Sequence, residues 1–156
     1  MPFGRAKSQP DPNAGFGSGV HRIGTAPRDT VLLVEPDPDT RRALTDALSS
    51  RFHVLDAPDA ATGAELLGES ETPRALVVSA RLPAIDGLTF VRKLRGFREL
   101  AAVPVVFMTT PNDARQLAQA IGAGARACLE KPVDPGKLCA RLLQIVGNRA
   151  ADSRGR

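Results

Sequence analysis

Four short clusters in this sequence carry side chains able to do chemistry: Glu35-Pro36-Asp37, Ser79, Thr109-Thr110 and Glu130-Lys131-Pro132. Carboxylates can hold a divalent cation, hydroxyls can attack or contact an anion, and a lysine can balance negative charge. A serine hydroxyl becomes a useful nucleophile only with a base beside it. The two histidines are poorly placed for that: His21 falls in the first 28 residues and His53 at the start of a different apolar run. No G-x-S-x-G surrounds Ser79, and neither a Walker A nor a GxGxxG pattern occurs. Cys128 and Cys139 lie far from CxxC spacing, and no His/Cys cluster could build a structural zinc site. No residue is therefore assigned a catalytic role, and the expectation is a protein that is not an enzyme.

The clusters sit at the ends of apolar runs. Val31 to Val34, Phe52 to Leu55, Ala75 to Val78, Val105 to Met108 and Ala127 to Glu130 read as strands. The third run is apolar at every position, as a central parallel strand buried on both faces must be. Stretches of helical periodicity separate them: a helix through Leu44 and Leu48 capped near Asp37 to Asp39, then helices over about 59–68, 88–95, 112–121 and 135–146. The last places Leu138, Leu142, Ile145 and Val146 on one face. Alternation of this kind predicts an α/β fold, with a doubly wound parallel sheet of five strands and five helices. In such sheets ligands gather outside the carboxyl ends of the strands, where all four clusters fall.

Composition narrows the class further. At 156 residues and 42% hydrophobic, the chain supports one domain with its own core. Residues 1–28 hold five Gly, four Pro and few apolar side chains, which predicts a disordered arm. The net charge of +4 belongs to the ends: four basic residues against Asp11 in 1–28, and three Arg against Asp152 in a short basic tail, 149–156. Segment 29–148 keeps 14 basic and 15 acidic residues, net −1, so no folded nucleic-acid surface is expected. No apolar stretch follows Arg5 and Lys7 and no 18-residue apolar run exists, so the expectation is a cytoplasmic protein without a signal peptide or membrane span.

The order and spacing of VLLVEPDPDTRRAL, VVSARLPAIDG, PVVFMTT and CLEKP resemble the CheY-like response-regulator receiver family over roughly residues 30–148. The resemblance implies a flavodoxin-like sheet of order 2-1-3-4-5 and a receiver domain over 29–148. It also implies roles. Glu35 and Pro36 occupy the positions of the acidic pair that binds Mg²⁺, with Asp37 one position late. Ser79 occupies the phosphoacceptor position, Thr109 the hydroxyl position and Lys131 the lysine position, whose bond to Pro132 is expected to be cis. Cys128 stands where many receivers place a switching aromatic ring. Pro36 offers no side-chain oxygen and Ser79 only a neutral hydroxyl, so Glu35 is left as a weak, degenerate metal position and Mg²⁺ binding is expected to be weak or lost.

An ammonium in a pocket poor in carboxylates needs a partner, so Glu35 is expected to pair with Lys131 rather than with a metal. Arg81 is read as an exposed loop residue. The implied function is a stand-alone receiver in two-component (phosphorelay) signalling, a pseudo-receiver that works by protein binding without phosphorylation. Its partners would be a histidine kinase, a phosphotransferase or a downstream target, meeting the helix 4, strand 5, helix 5 face that carries Arg115, Arg126, Lys137 and Arg141. Two alternatives stand beside it. One is a working phospho-receiver using Ser79 or Asp37, and the other a nucleic-acid binder using its basic tails.

Overall fold

The central strands form where the sequence is apolar on both faces, and the side-chain alternation splits the core in two. In the computed structural model, which describes residues 28–155 and side chains as far as Gly147, five strands lie parallel in the order β2-β1-β3-β4-β5. They are β1 (Asp29–Val34), β2 (Phe52–Ala57), β3 (Ala75–Ser79), β4 (Val105–Thr109) and β5 (Ala127–Glu130). The helices are α1 (Pro38–Leu48), α2 (Ala60–Glu69), α3 (Gly87–Leu94), α4 (Ala114–Gly122) and α5 (Pro135–Gly155), with a 3₁₀ turn at Arg98–Leu100. The expected fold class and strand order are both present.

Successive side chains of a strand point to opposite faces. Leu32, Val34, Leu76 and Val78 therefore enter one cluster with Leu67 of α2, Phe90 and Leu94 of α3 and Ala120 of α4. Val31, Leu33, Ala75 and Val77 enter the other, with Leu44 and Leu48 of α1 and Leu138, Leu142 and Ile145 of α5. Each such aliphatic side chain, when fully buried, contributes about 1.5–3 kcal/mol. The hydrophobic effect thus pins the central strands from both sides and leaves their carboxyl ends free to carry polar groups.

An aspartate caps the start of every helix. Asp37, Asp59, Asp86 and Asp113 accept the N–H of Thr40, Thr62, Thr89 and Gln116, and Asp134 accepts that of Lys137. Each satisfies an orphan donor of a first helical turn. Gly87, just after its cap, is required by close approach: a Cβ there would collide with the Ser79 carbonyl oxygen. Only glycine lets α3 begin that close to the end of β3.

Several boundaries differ from the sequence expectation. The fourth helix starts at Ala114 rather than Asn112, because Asn112 takes φ 59° and Asp113 is the cap. Strands β1 and β2 run two residues, and β3 and β4 one residue, beyond the expected apolar runs, since ladder hydrogen bonds continue past them. Helix α5 continues through the expected basic tail to Gly155. The apolar stripe stops at Val146 in the sequence, while Ala150 and Ala151 retain high helix propensity. The expected arm, 1–28, lies outside the described residues except for Arg28.

Candidate functional site

Register brings the chemical side chains together. In a parallel sheet with β1 and β4 flanking β3, the residues closing β1, β3, β4 and β5 share one edge. Ser79 pairs with Met108, and Thr109 pairs with Glu130, which places Lys131 immediately beyond the end of β5. Its backbone N–H bonds the Thr109 carbonyl at 2.8 Å, prolonging the ladder by one residue. The Lys131-Pro132 peptide is cis, as expected.

Glu35 follows β1 and continues its ladder through an N–H to the Ala57 carbonyl at 3.0 Å. Its side chain is 1% exposed. Oε1 lies 2.9 Å from Lys131 Nζ, and Oε2 accepts the Asp37 N–H at 2.9 Å. The Glu35 carbonyl accepts from Arg41 Nη1 at 2.8 Å, and the same guanidinium reaches Asp56 at 3.3 Å. Thus α1 and β2 hold the backbone of Glu35 while β5 supplies its counter-charge. Oε1 has no hydrogen-bond partner of acceptable geometry, so its 2.9 Å contact with the ammonium is Coulombic.

Lys131 also donates to Ser79 Oγ at 2.9 Å, across 52 positions of sequence. The Ser79 hydroxyl donates in turn to the Arg81 carbonyl at 3.2 Å. Direction matters here. The hydroxyl donates to a carbonyl rather than to a base, and the lysine donates a hydrogen bond to the oxygen instead of accepting one. A serine held this way is not activated as a nucleophile. Arg81 contributes its carbonyl alone, and its side chain is exposed.

The remaining expected positions are engaged elsewhere. Pro36 presents no donor oxygen. The Asp37 carboxylate accepts the Thr40 hydroxyl at 2.7 Å and the Thr40 N–H at 2.9 Å, and these bonds hold its carboxyl below the usual aspartate range. Thr109 is buried at the end of β4. Cys128 is partly buried, and desolvation raises its thiol above the ordinary cysteine value. Among the described residues no group of three or more His, Cys, Asp or Glu side chains converges where it could hold a metal ion.

Sequence reasoning missed Arg41 and Gln116, and it singled out Glu130 without giving it a role. Gln116 had a signal, since Asp113-x-x-Gln116 has capping-box spacing, in which the third residue folds back over the helix start. Here Gln116 reaches past the cap to the Thr110 N–H at 2.6 Å. Arg41 and Glu130 act on partners 15 and 18 positions away, Asp56 and Asn112, and no local spacing announces them. No helix among the described residues is long and apolar enough to cross a membrane.

Comparison with known proteins agrees with this geometry. The family model of the response regulator receiver domain matches residues 31–143. The sensor histidine kinase TmoS of Ectopseudomonas mendocina is 30% identical over 91% of this chain, which spans only 14% of that kinase. The two-component response regulator ORR5 of Oryza sativa is 30% identical, with 81% of this chain and 95% of ORR5 covered. A CheY-like response regulator receiver domain protein from Methanospirillum hungatei shares the fold, with a TM-score of 0.71, 20% identity and coverage of 80% and 98%. With the sheet order, the strand-end cluster and the family match in agreement, the chain belongs to the response-regulator receiver family and carries a receiver domain of two-component signalling.

Proposed function

We propose that this receiver is a pseudo-receiver: it signals by binding other proteins, is not switched by aspartyl phosphorylation, and catalyses no reaction of its own. One observation carries the reading. The Lys131 ammonium is shared between Glu35 and Ser79 at 2.9 Å each, so the pocket is neutralised from within and contains no carboxylate at the end of β3. A phosphoryl group would have to displace Glu35 from that lysine and attach to a hydroxyl that lacks a base.

The donors also fit Mg²⁺ poorly. That ion demands near-octahedral oxygen coordination, usually from carboxylates, phosphate and water. Glu35 spends its oxygens on Lys131 and the Asp37 N–H, Pro36 has none, and the Asp37 carboxylate caps α1. The reading therefore includes no resident cofactor.

The partner is a signalling protein, either a histidine kinase, a phosphotransferase or a downstream target. The surface built from α4, β5 and α5 supports this assignment. Leu117 and Ile121, one helical turn apart on α4, are 41% and 61% exposed, and Leu143 of α5 is 37% exposed. Arg115, Arg126, Lys137 and Arg141 are exposed on the same elements or beside them. Apolar groups inside a charged rim are the composition of a protein-binding surface. The setting proposed is the cytoplasm.

The test is an amide NMR titration with Mg²⁺ and then beryllofluoride, beside the Pro36→Asp/Ser79→Asp variant. Silence at Glu35, Ser79 and Thr109 in the unmutated chain, with a response in the variant, is the expected result. Shifts at those residues in the unmutated chain would return the protein to the phosphate-responsive class.

A further inference from the structure

The connection between β4 and α4, residues 110–113, is held by side chains from both of its neighbours. Gln116, buried on α4, accepts the Thr110 N–H at 2.6 Å, while its own N–H goes to Asp113 at 3.0 Å. Glu130, the last residue of β5, accepts the Asn112 N–H at 3.0 Å. Asn112 sits at φ 59°, in the left-handed region that asparagine adopts more readily than most side chains. The Glu130 contact takes up the N–H which that conformation turns toward β5.

A groove of about 570 Å³, open to solvent on one side, borders the loop and is lined by Thr109, Leu117, Cys128 and Glu130 among others. The two side-chain hydrogen bonds are directional contacts that fix where the loop rests beside it. Glu130 is also the residue before Lys131. The strand end that carries the Glu35–Lys131–Ser79 network therefore carries the carboxylate that holds the loop.

We infer that Gln116 and Glu130 form a latch that fixes the β4–α4 loop and, through it, the first turn of α4 and the presentation of Leu117 and Ile121. This goes beyond the pseudo-receiver reading and rests on it only in treating the α4 face as the output. A latch predicts cooperation between its two halves. Removing either acceptor must loosen the amide held by the other, together with the first turn of α4.

Amide hydrogen exchange on the full chain, read residue by residue by NMR, tests this in Glu130→Ala, Gln116→Ala and Glu130→Gln. In Glu130→Ala, exchange at Thr110 and Leu117 is expected to quicken at least about five-fold, the effect of one lost hydrogen bond on local opening. Gln116→Ala is expected to do the same at Asn112. Glu130→Gln keeps an acceptor and should stay near the parent rates. Unchanged amides over 31–34 and 75–78 identify variants whose fold is intact. Acceleration confined to the one amide that lost its acceptor overturns the latch, whatever beryllofluoride does. A beryllofluoride response in the unmutated chain overturns the pseudo-receiver reading and leaves the latch standing. Should Glu130→Ala not fold, Gln116→Ala and its effect at Asn112 decide the matter alone.

Discussion

Replacing Glu35 by Gln removes one charge from the strand-end network while keeping side-chain volume. Two unit charges 2.9 Å apart attract by about 6 kcal/mol at an effective dielectric near 20. Desolvating a carboxylate at 1% exposure cancels most of that gain, since the cost is several kcal/mol. What the substitution forfeits is therefore closer to one charge-assisted contact, about 2 kcal/mol. A glutamine can still accept the Asp37 N–H, but its amide N–H₂ must then face the Lys131 ammonium, donor against donor. For a domain of this size that loss corresponds to roughly 6–10 °C in melting temperature. Lys131→Met should cost more, about 3 kcal/mol, because it strands a buried carboxylate. The double variant should be less destabilised than Lys131→Met alone, since it leaves no uncompensated charge. Urea unfolding followed by circular dichroism measures all three. An unchanged midpoint in Glu35→Gln, or a double variant that equals the sum of the singles, would show that the pair does not hold the site together.

Three further outcomes follow from the same geometry. Gly87→Ala drives a Cβ into the Ser79 carbonyl and should destabilise by about 3 kcal/mol or more, read by urea unfolding, whereas a neutral result would mean that α3 can withdraw from β3. Asp37 and Asp59 are held below the ordinary aspartate value of 3.8 by hydrogen bonds from Thr40 and Thr62. Their depressed values mean that the stability they contribute is present above 3.8 and is lost as pH falls from there through the folded-state values. An Asp37→Asn/Asp59→Asn variant keeps both caps without the titration, so its urea midpoint should fall less than the parent's between about pH 5 and about pH 3. Equal losses would assign the acid sensitivity to other carboxylates. Burial raises the Cys128 thiol, so iodoacetamide at neutral pH should modify it more slowly than a free cysteine in the same tube, with peptide mass spectrometry as the readout. Faster modification would reveal a thiolate that this environment does not stabilise.

The sequence alone determined the parts of this protein that depend on local periodicity. A parallel strand covered on both faces must be apolar at every position, so β3 and β4 announced themselves. A helix packed along one stripe repeats its leucines, so the register of α5 from Leu138 to Ile145 was legible. Asp37 before the first helical run marked its cap. The family resemblance, carried by short strand-end strings, placed Glu35, Ser79, Thr109 and Lys131 near one another and led to the expected Glu35–Lys131 pair. Tertiary structure alone decided what each polar group does there. That Lys131 donates to Ser79, that the Ser79 proton goes to Arg81, that Arg41 braces Glu35 and that Glu130 holds Asn112 all depend on where neighbouring strands end relative to one another. It also decided that α5 runs on to Gly155 after its apolar stripe stops. The physical reason is one of range: burial imprints a period on neighbouring residues, whereas a hydrogen bond between strand ends imprints nothing on the chain between them.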